Sequence, residues 1–216
     1  MTGLLASLIA ELADAGTSAR AVAGEITDPE LPGQIVAAAT DSFGRLDAAV
    51  NNAGIRGGEA TLDVSADETF DEVIDVSLRA TYRCLRAELQ QMYAQGSGAI
   101  VNVGSASVFG VAPGLGPYIA SKMGIIGLSK VAASEAGPRG VRVNVVAPGR
   151  TSTPLLAQHA SSSVVGQHDT ASLVAPIPLG RFGEPAELAD VITYLCSPRA
   201  SFITGATLVV DGGRTG

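Results

Sequence analysis

The sequence is short of several things, and each shortage argues against a class of function. Lysine occurs only as Lys122 and Lys130, and 14 Lys plus Arg stand against 21 Asp plus Glu, for a net charge of −7. With no basic patch, neither nucleic acid nor an anionic membrane is expected as a partner. Cysteine occurs only as Cys84 and Cys196, far apart in the chain. That is no disulfide framework, and it reads as two reduced thiols of a cytoplasmic protein. No apolar run approaches ~20 residues and no basic n-region follows Met1, so neither a membrane span nor secretion is expected. His159 and His168 lie in the Ser/Gln-rich stretch LLAQHASSSVVGQHDTASLVAP. A metal needs convergent ligands, and none is expected there.

What is present is apolar material and glycine. The 216 residues are 46% hydrophobic and only 16% charged, enough to bury one sizeable core in a single domain, and the 26 glycines announce many tight turns. Leu4, Leu5, Leu8, Ile9 and Leu12 recur at helical spacing ahead of Gly16, so the chain starts in an amphipathic helix. SARAVAGEI (18–26) reads as a short strand. TDPE then offers a helix start, with Asp28 as cap and Pro29 in the first turn, running to Phe43 and stopped by Gly44. RLDAAVNNAG, GAIVNVGS, GVRVNVVAPG and GATLVVDGG read as buried strands. Between them lie helices over 67–92, 117–136 and 184–196. Strands alternating with helices predict right-handed βαβ units and a parallel sheet covered on both faces. Ligands bind such sheets beyond the carboxyl ends of the strands, where NNAG, GSAS and APGRTST fall.

The sharpest local pattern is YIASK, with Tyr118 and Lys122 one helical turn apart on the same face. A phenol of ordinary pKa ~10 is a poor proton carrier at neutral pH, and a neighbouring cation improves it. With two lysines in the whole chain, one standing here is not general lysine richness. Ser105, at the end of IVNVGS, is placed to hydrogen-bond a carbonyl whose proton Tyr118 handles. Arg150, in PGRTST, reads as a surface arginine, and Tyr194 and Cys196 read as packing residues.

NNAG, IVNVGS, YIASK, VNVVAPGRTST and ITGATLVVDGG, in this order and spacing, resemble the classical short-chain dehydrogenases/reductases over essentially the whole chain. The resemblance implies an α/β, Rossmann-like, doubly wound parallel sheet. It also implies an oxidoreductase interconverting a secondary alcohol and a ketone with NAD or NADP. Tyr118 would be the general acid/base, Lys122 would lower its pKa and bind the nicotinamide ribose, and Ser105 would polarise the substrate oxygen. Asn51, Ala53 and Gly54 would form the turn beside the adenosine, with Glu25 and Ile26 near the adenine. Pro148, Gly149, Thr151 and Thr153 would cradle the nicotinamide. Residues 154–178 would be a substrate lid, and the helices 67–92 and 117–136 the contact of a homodimer or homotetramer.

Two departures stand out. Ser77 occupies a position where the family normally has Asn, in the proton relay. A hydroxyl still donates and accepts, so a weakened relay is expected. In addition, no TGxxxGxG turn occurs in these residues. Its glycines let the backbone approach the cofactor pyrophosphate. The expectation is a sheet that is N-terminally incomplete, with the first strand, first helix and second strand absent and cofactor affinity reduced. The competing expectation is a non-catalytic relative that keeps fold and self-association.

Overall fold

The structure, a computed structural model, describes residues 2–110, 113–153, 156 and 170–216. Its centre is a four-stranded, fully parallel sheet in the order β1-β2-β3-β4. The strands are β1 (Ala48–Asn51), β2 (Gly98–Val103), β3 (Val141–Pro148) and β4 (Thr207–Val210). The near-continuous apolar runs of β2 and β3 are buried from both sides, as residues between two layers of helix must be.

The helices are α1 (Thr2–Asp14), α2 (Leu31–Phe43), α3 (Asp67–Val73), α4 (Ala80–Gln95), α5 (Gly116–Ala136), α6 (Thr170–Val174) and α7 (Pro185–Cys196). The expected helix over 67–92 is α3 and α4 joined by a π-helical turn, Ile74–Arg79. Such turns insert an extra residue, re-aim side chains and concentrate at functional sites. The turn contains Ser77. Helix α2 begins later than TDPE suggests: Pro32 takes the first turn, while the Asp28 carboxylate accepts the Glu30 amide at 2.9 Å in the turn before it. Gly44 closes α2 in the left-handed region (φ 82°), which suits a residue without Cβ.

Two apolar clusters sit on opposite faces of the sheet. Ile100 and Val143 pack against Leu85 and Met92 of α4 and Ala132, Ala133 and Ala136 of α5. The alternate residues Val101 and Val146 pack against Leu188 and Leu195 of α7. The crossovers through α4 and α5 therefore share one face, and the crossover through α7 takes the other while stepping in the same direction across the sheet. Its hand is opposite to theirs, so the three connections are not all right-handed as expected. The segment between β3 and α7 is long enough to lift the steric constraint that fixes the hand of short βαβ units.

Residues 18–26 do not form the expected strand, and among the described residues β1 is an edge. A strand is defined by its partner, and among the described residues β1 pairs only with β2. The segment instead ends in a turn, with the Asp28 amide on the Glu25 carbonyl at 2.9 Å and Arg83 Nη1 donating to the Thr27 carbonyl at 2.6 Å. Beside β1 lies a groove of about 310 Å³ whose walls include Ile26, Ile35, Val36, Leu46, Cys84 and Glu88.

Candidate active site

The carboxyl ends of β1, β2 and β3 deliver the polar residues, and α5 delivers the rest. β2 runs out at Val103, and Ser105 caps a short 3-10 turn, its hydroxyl accepting the Ser107 amide at 3.2 Å. Ser105 is buried, and its hydroxyl faces the phenol of Tyr118, in the first turn of α5, closely enough to favour the phenolate. Lys122 follows one turn later. It is only 5% exposed, and its Nζ donates to the Val103 carbonyl at 2.9 Å and lies 5.8 Å from the centre of the Tyr118 ring. Ser105 from the end of β2 and Tyr118 and Lys122 from α5 thus converge where β2 meets α5.

The electrostatics differ from the simple Tyr–Lys pairing read from the i, i+4 spacing. Burial pushes the Tyr118 pKa above its ordinary value, and the influences that oppose this are the Ser105 hydroxyl and then the positive charge of Arg56. Burial pushes Lys122 down to about 8, because a desolvated ammonium is costly. Arg56 is the residue that the sequence reading missed. It directly follows NNAGI and forms a largely buried ion pair with Glu59.

Ser77 and Gly54 complete the floor. The Ile55 amide donates to Ser77 Oγ at 3.1 Å, that hydroxyl donates to the Ile55 carbonyl at 3.2 Å, and Thr81 Oγ1 holds the Ser77 carbonyl at 2.7 Å. The π-turn therefore clasps the NNAG loop. A Cβ on Gly54 would stand 3.3 Å from Lys122 Nζ and 3.4 Å from Ser77 Oγ, so the backbone there approaches both groups closely. Ala53 and Ile26 line the groove beside β1, and Glu25 lies in the turn that precedes it. Asn51 also lines the groove, but its side chain turns inward, to Glu88 and Asn102.

Beyond β3, the Gly149 amide donates to the Val210 carbonyl at 2.8 Å, and a Cβ on Gly149 would strike Asp211 Cα at 2.5 Å. Pro148 ends the strand, Thr151 Oγ1 donates back to the Gly149 carbonyl and Thr153 Oγ1 to the Thr151 carbonyl, both at 3.3 Å. Arg150 is not the surface arginine expected. It is half-buried, donates to the Leu173 carbonyl of α6, and has its pKa lowered by burial and by the charges of Arg214 and Arg56. His159, His168 and most of the expected lid 154–178 lie outside the described residues; α6 and residues 175–178 lie within them. Among the described residues no group of three or more His, Cys, Asp or Glu could hold a metal, and no helix is long and apolar enough to cross a membrane. Cys84 and Cys196 are free thiols with pKa values raised by burial, Cys84 to about 11.

Known proteins are similar to this chain in sequence and fold. The family described as Enoyl-(Acyl carrier protein) reductase matches residues 3–215. The chain is 38% identical over 212 residues to the A-factor type gamma-butyrolactone 1'-reductase (1S-forming) of Streptomyces virginiae, covering 98% of this chain and 81% of that protein. It is 37% identical over 209 residues to the cyclohexanol dehydrogenase of Acinetobacter sp. (strain SE19), covering 96% and 79%. Among solved structures it superposes on levodione reductase with a TM-score of 0.91 at 31% identity, covering 99% of this chain and 84% of that one. On NAD+-bound xylitol dehydrogenase the TM-score is 0.92 at 27% identity, covering 99% and 86%. The chain belongs to the short-chain dehydrogenase/reductase family of NAD(P)-dependent oxidoreductases.

Proposed function

We propose that this protein interconverts a secondary alcohol and a ketone with NAD or NADP, Tyr118 acting as general acid/base. The observation that carries this reading is the convergence of the Ser105 hydroxyl, the Tyr118 phenol and the Lys122 ammonium where β2 meets α5. Relatives named for cyclohexanol and xylitol oxidation point to the same reaction class.

The residues present fit the nicotinamide half of the cofactor. Lys122 has three N–H donors, one on the Val103 carbonyl, and Gly54 leaves open the space beside the ammonium that a Cβ would fill. Donors there suit the hydroxyls of a ribose. Pro148, Gly149, Thr151 and Thr153 would hold the carboxamide side, and Asn51, Ala53, Glu25 and Ile26, at or near the groove by β1, the adenosine side. When bound, the cofactor supplies or accepts the hydride.

Tyr118 Oη takes the hydroxyl proton of the alcohol, or returns it to the ketone oxygen. Ser105 Oγ hydrogen-bonds that oxygen and holds it at the phenol. Lys122 and Arg56 place positive charge where the phenolate forms. Ser77 keeps the NNAG loop against the site and would serve in the proton relay as a hydroxyl that both donates and accepts. The 216 residues act as one domain, with 154–178 as the lid, in the cytoplasm. Tyr82, Met123 and Val131, exposed apolar residues on α4 and α5, suit self-association into a homodimer or homotetramer through 67–92 and 117–136.

Tyr118→Phe tests the mechanism: turnover is expected to fall by ~10²–10⁴ with the fold intact. Unchanged turnover overturns it. A second reading, a relative that folds and self-associates without catalysis, rests on Ser77 standing where the family normally has Asn. Calorimetric titration with NAD(H) and NADP(H) separates the two, since micromolar binding overturns the second.

A further inference from the structure

A buried polar chain crosses the molecule beneath the site, and apart from Asn51 the mechanism above does not use it. Asn51 Nδ2, on β1, donates to Glu88 Oε2 of α4 at 3.0 Å and to Asn102 Oδ1 of β2 at 2.8 Å. Asn102 Nδ2 donates to Ser129 Oγ of α5 at 2.8 Å, and the Ser129 hydroxyl donates to the Ile125 carbonyl at 2.7 Å. Glu88, Asn102 and Ser129 are all buried. The directions interlock. Ser129 spends its only proton on Ile125, so it accepts from Asn102, which fixes which end of the Asn102 amide faces β1.

The position of this chain gives it a task. Asn102 immediately precedes Val103, whose carbonyl holds the Lys122 ammonium. Ser129 follows Lys122 by two helical turns on the same face of α5. Helix α5 is thus fastened to consecutive residues of β2 at two points, Ser129 on Asn102 and Lys122 on Val103. Apolar packing alone is non-directional. A hydrogen-bonded contact two turns away fixes both the slide and the roll of the helix.

We propose that the Asn102–Ser129 contact, oriented by Asn51 and Glu88, is a positioning device that holds α5 in the register placing Lys122 Nζ on the Val103 carbonyl and Tyr118 against Ser105. This inference rests on the functional reading above for its catalytic consequence, but not for its structural one.

The test is Ser129→Ala, with Ser129→Thr as the conservative variant. Lys122 and Lys130 are the only lysines. Trace labelling with acetic anhydride across pH, read by mass spectrometry, follows Lys122 with Lys130 as internal reference. In the wild type Lys122 labelling rises with a midpoint near its lowered pKa of about 8. In Ser129→Ala the loosened ammonium gains water and the midpoint moves up by about one pH unit. In turnover, kcat falls by about tenfold to a hundredfold with KM little changed, as for a misplaced catalytic group. Ser129→Thr restores both. An unshifted Lys122 profile in a folded Ser129→Ala protein overturns the proposal. If Ala does not fold, Ser129→Cys, nearly isosteric and a poor hydrogen-bond partner, takes its place with the same two criteria. A shifted Lys122 profile in a protein that shows no turnover at all supports the positioning role and overturns the catalytic reading instead.

Discussion

Glu88 gives the stability of this protein a pH dependence that one substitution should remove. The side chain is only 8% exposed, on a helix face that otherwise carries Leu85 and Met92 into the core. Its partner is the Asn51 amide rather than a cation. Burial raises its pKa from 4.5 to about 7, the Asn51 hydrogen bond opposing the rise. Between those two values the folded chain keeps a proton that the unfolded chain releases. The folded state is therefore favoured at low pH, and that advantage is lost as pH rises through about 7. At about 1.4 kcal/mol per pH unit, the full loss is about 3 kcal/mol, a large part of the stability of an ordinary domain. Glu88→Gln keeps an oxygen to accept from Asn51 and never ionises. Urea unfolding followed by far-UV circular dichroism at about pH 5 and about pH 8 should show the variant gaining about 2–3 kcal/mol on the wild type between the two conditions, and being the more stable protein at the higher one. A difference between the two proteins that does not change with pH, or a Gln variant less stable at about pH 8, refutes the reasoning.

Other perturbations address the site. Gly54→Ala places a methyl about 3.3 Å from Lys122 Nζ and 3.4 Å from Ser77 Oγ. It should weaken NAD(P) binding by about tenfold in calorimetry while leaving the unfolding midpoint within ~1 kcal/mol of wild type. Arg56→Met removes a positive charge that lowers the Tyr118 pKa. The phenol should then titrate higher, so the acid limb of the pH profile for alcohol oxidation moves to higher pH, and an unmoved limb rules out Arg56 as an influence on the proton carrier. Met92→Ala empties a fully buried position in the cluster beneath α4 and α5 and should cost ~2–5 kcal/mol in denaturant unfolding.

The sequence made the sheet interior and the proposed Ser105, Tyr118 and Lys122 site legible because both are written locally. β2 and β3 are unbroken apolar runs, and YIASK declares its helix face by spacing alone. Residues 18–26 misled because a strand needs a neighbour, and no local pattern reports whether one exists. The opposite hand of the third crossover was equally invisible, being a property of where a long connection re-enters the sheet. Arg56 and Glu88 escaped notice because their effects come from burial rather than residue type. For Glu88 a signal existed: it follows Leu85 by three and precedes Met92 by four, which puts a carboxylate on the apolar stripe of its helix.

The same carboxylate bears on how the site survives at the margin of a small sheet. β1 has four residues and, among the described residues, pairs only with β2, and Val50 is 46% exposed. Such a strand is free to fray or slip unless something fixes its register. Asn51 and Asn102 are directly paired residues of β1 and β2, and their side chains are bonded to each other as well. A slip of one residue would turn Asn51 to the other face, strand the Asn102 carbonyl oxygen and the Glu88 carboxylate in the core, and drag the NNAG loop away from Ser77 and Lys122. Each orphaned buried group would cost about 1–3 kcal/mol, and the charged one more. Polar groups placed among Leu85, Met92 and Ile100 thus supply what apolar packing against α4 cannot, an energetic reason for β1 to hold one register and for its carboxyl end to present Gly54 to the site.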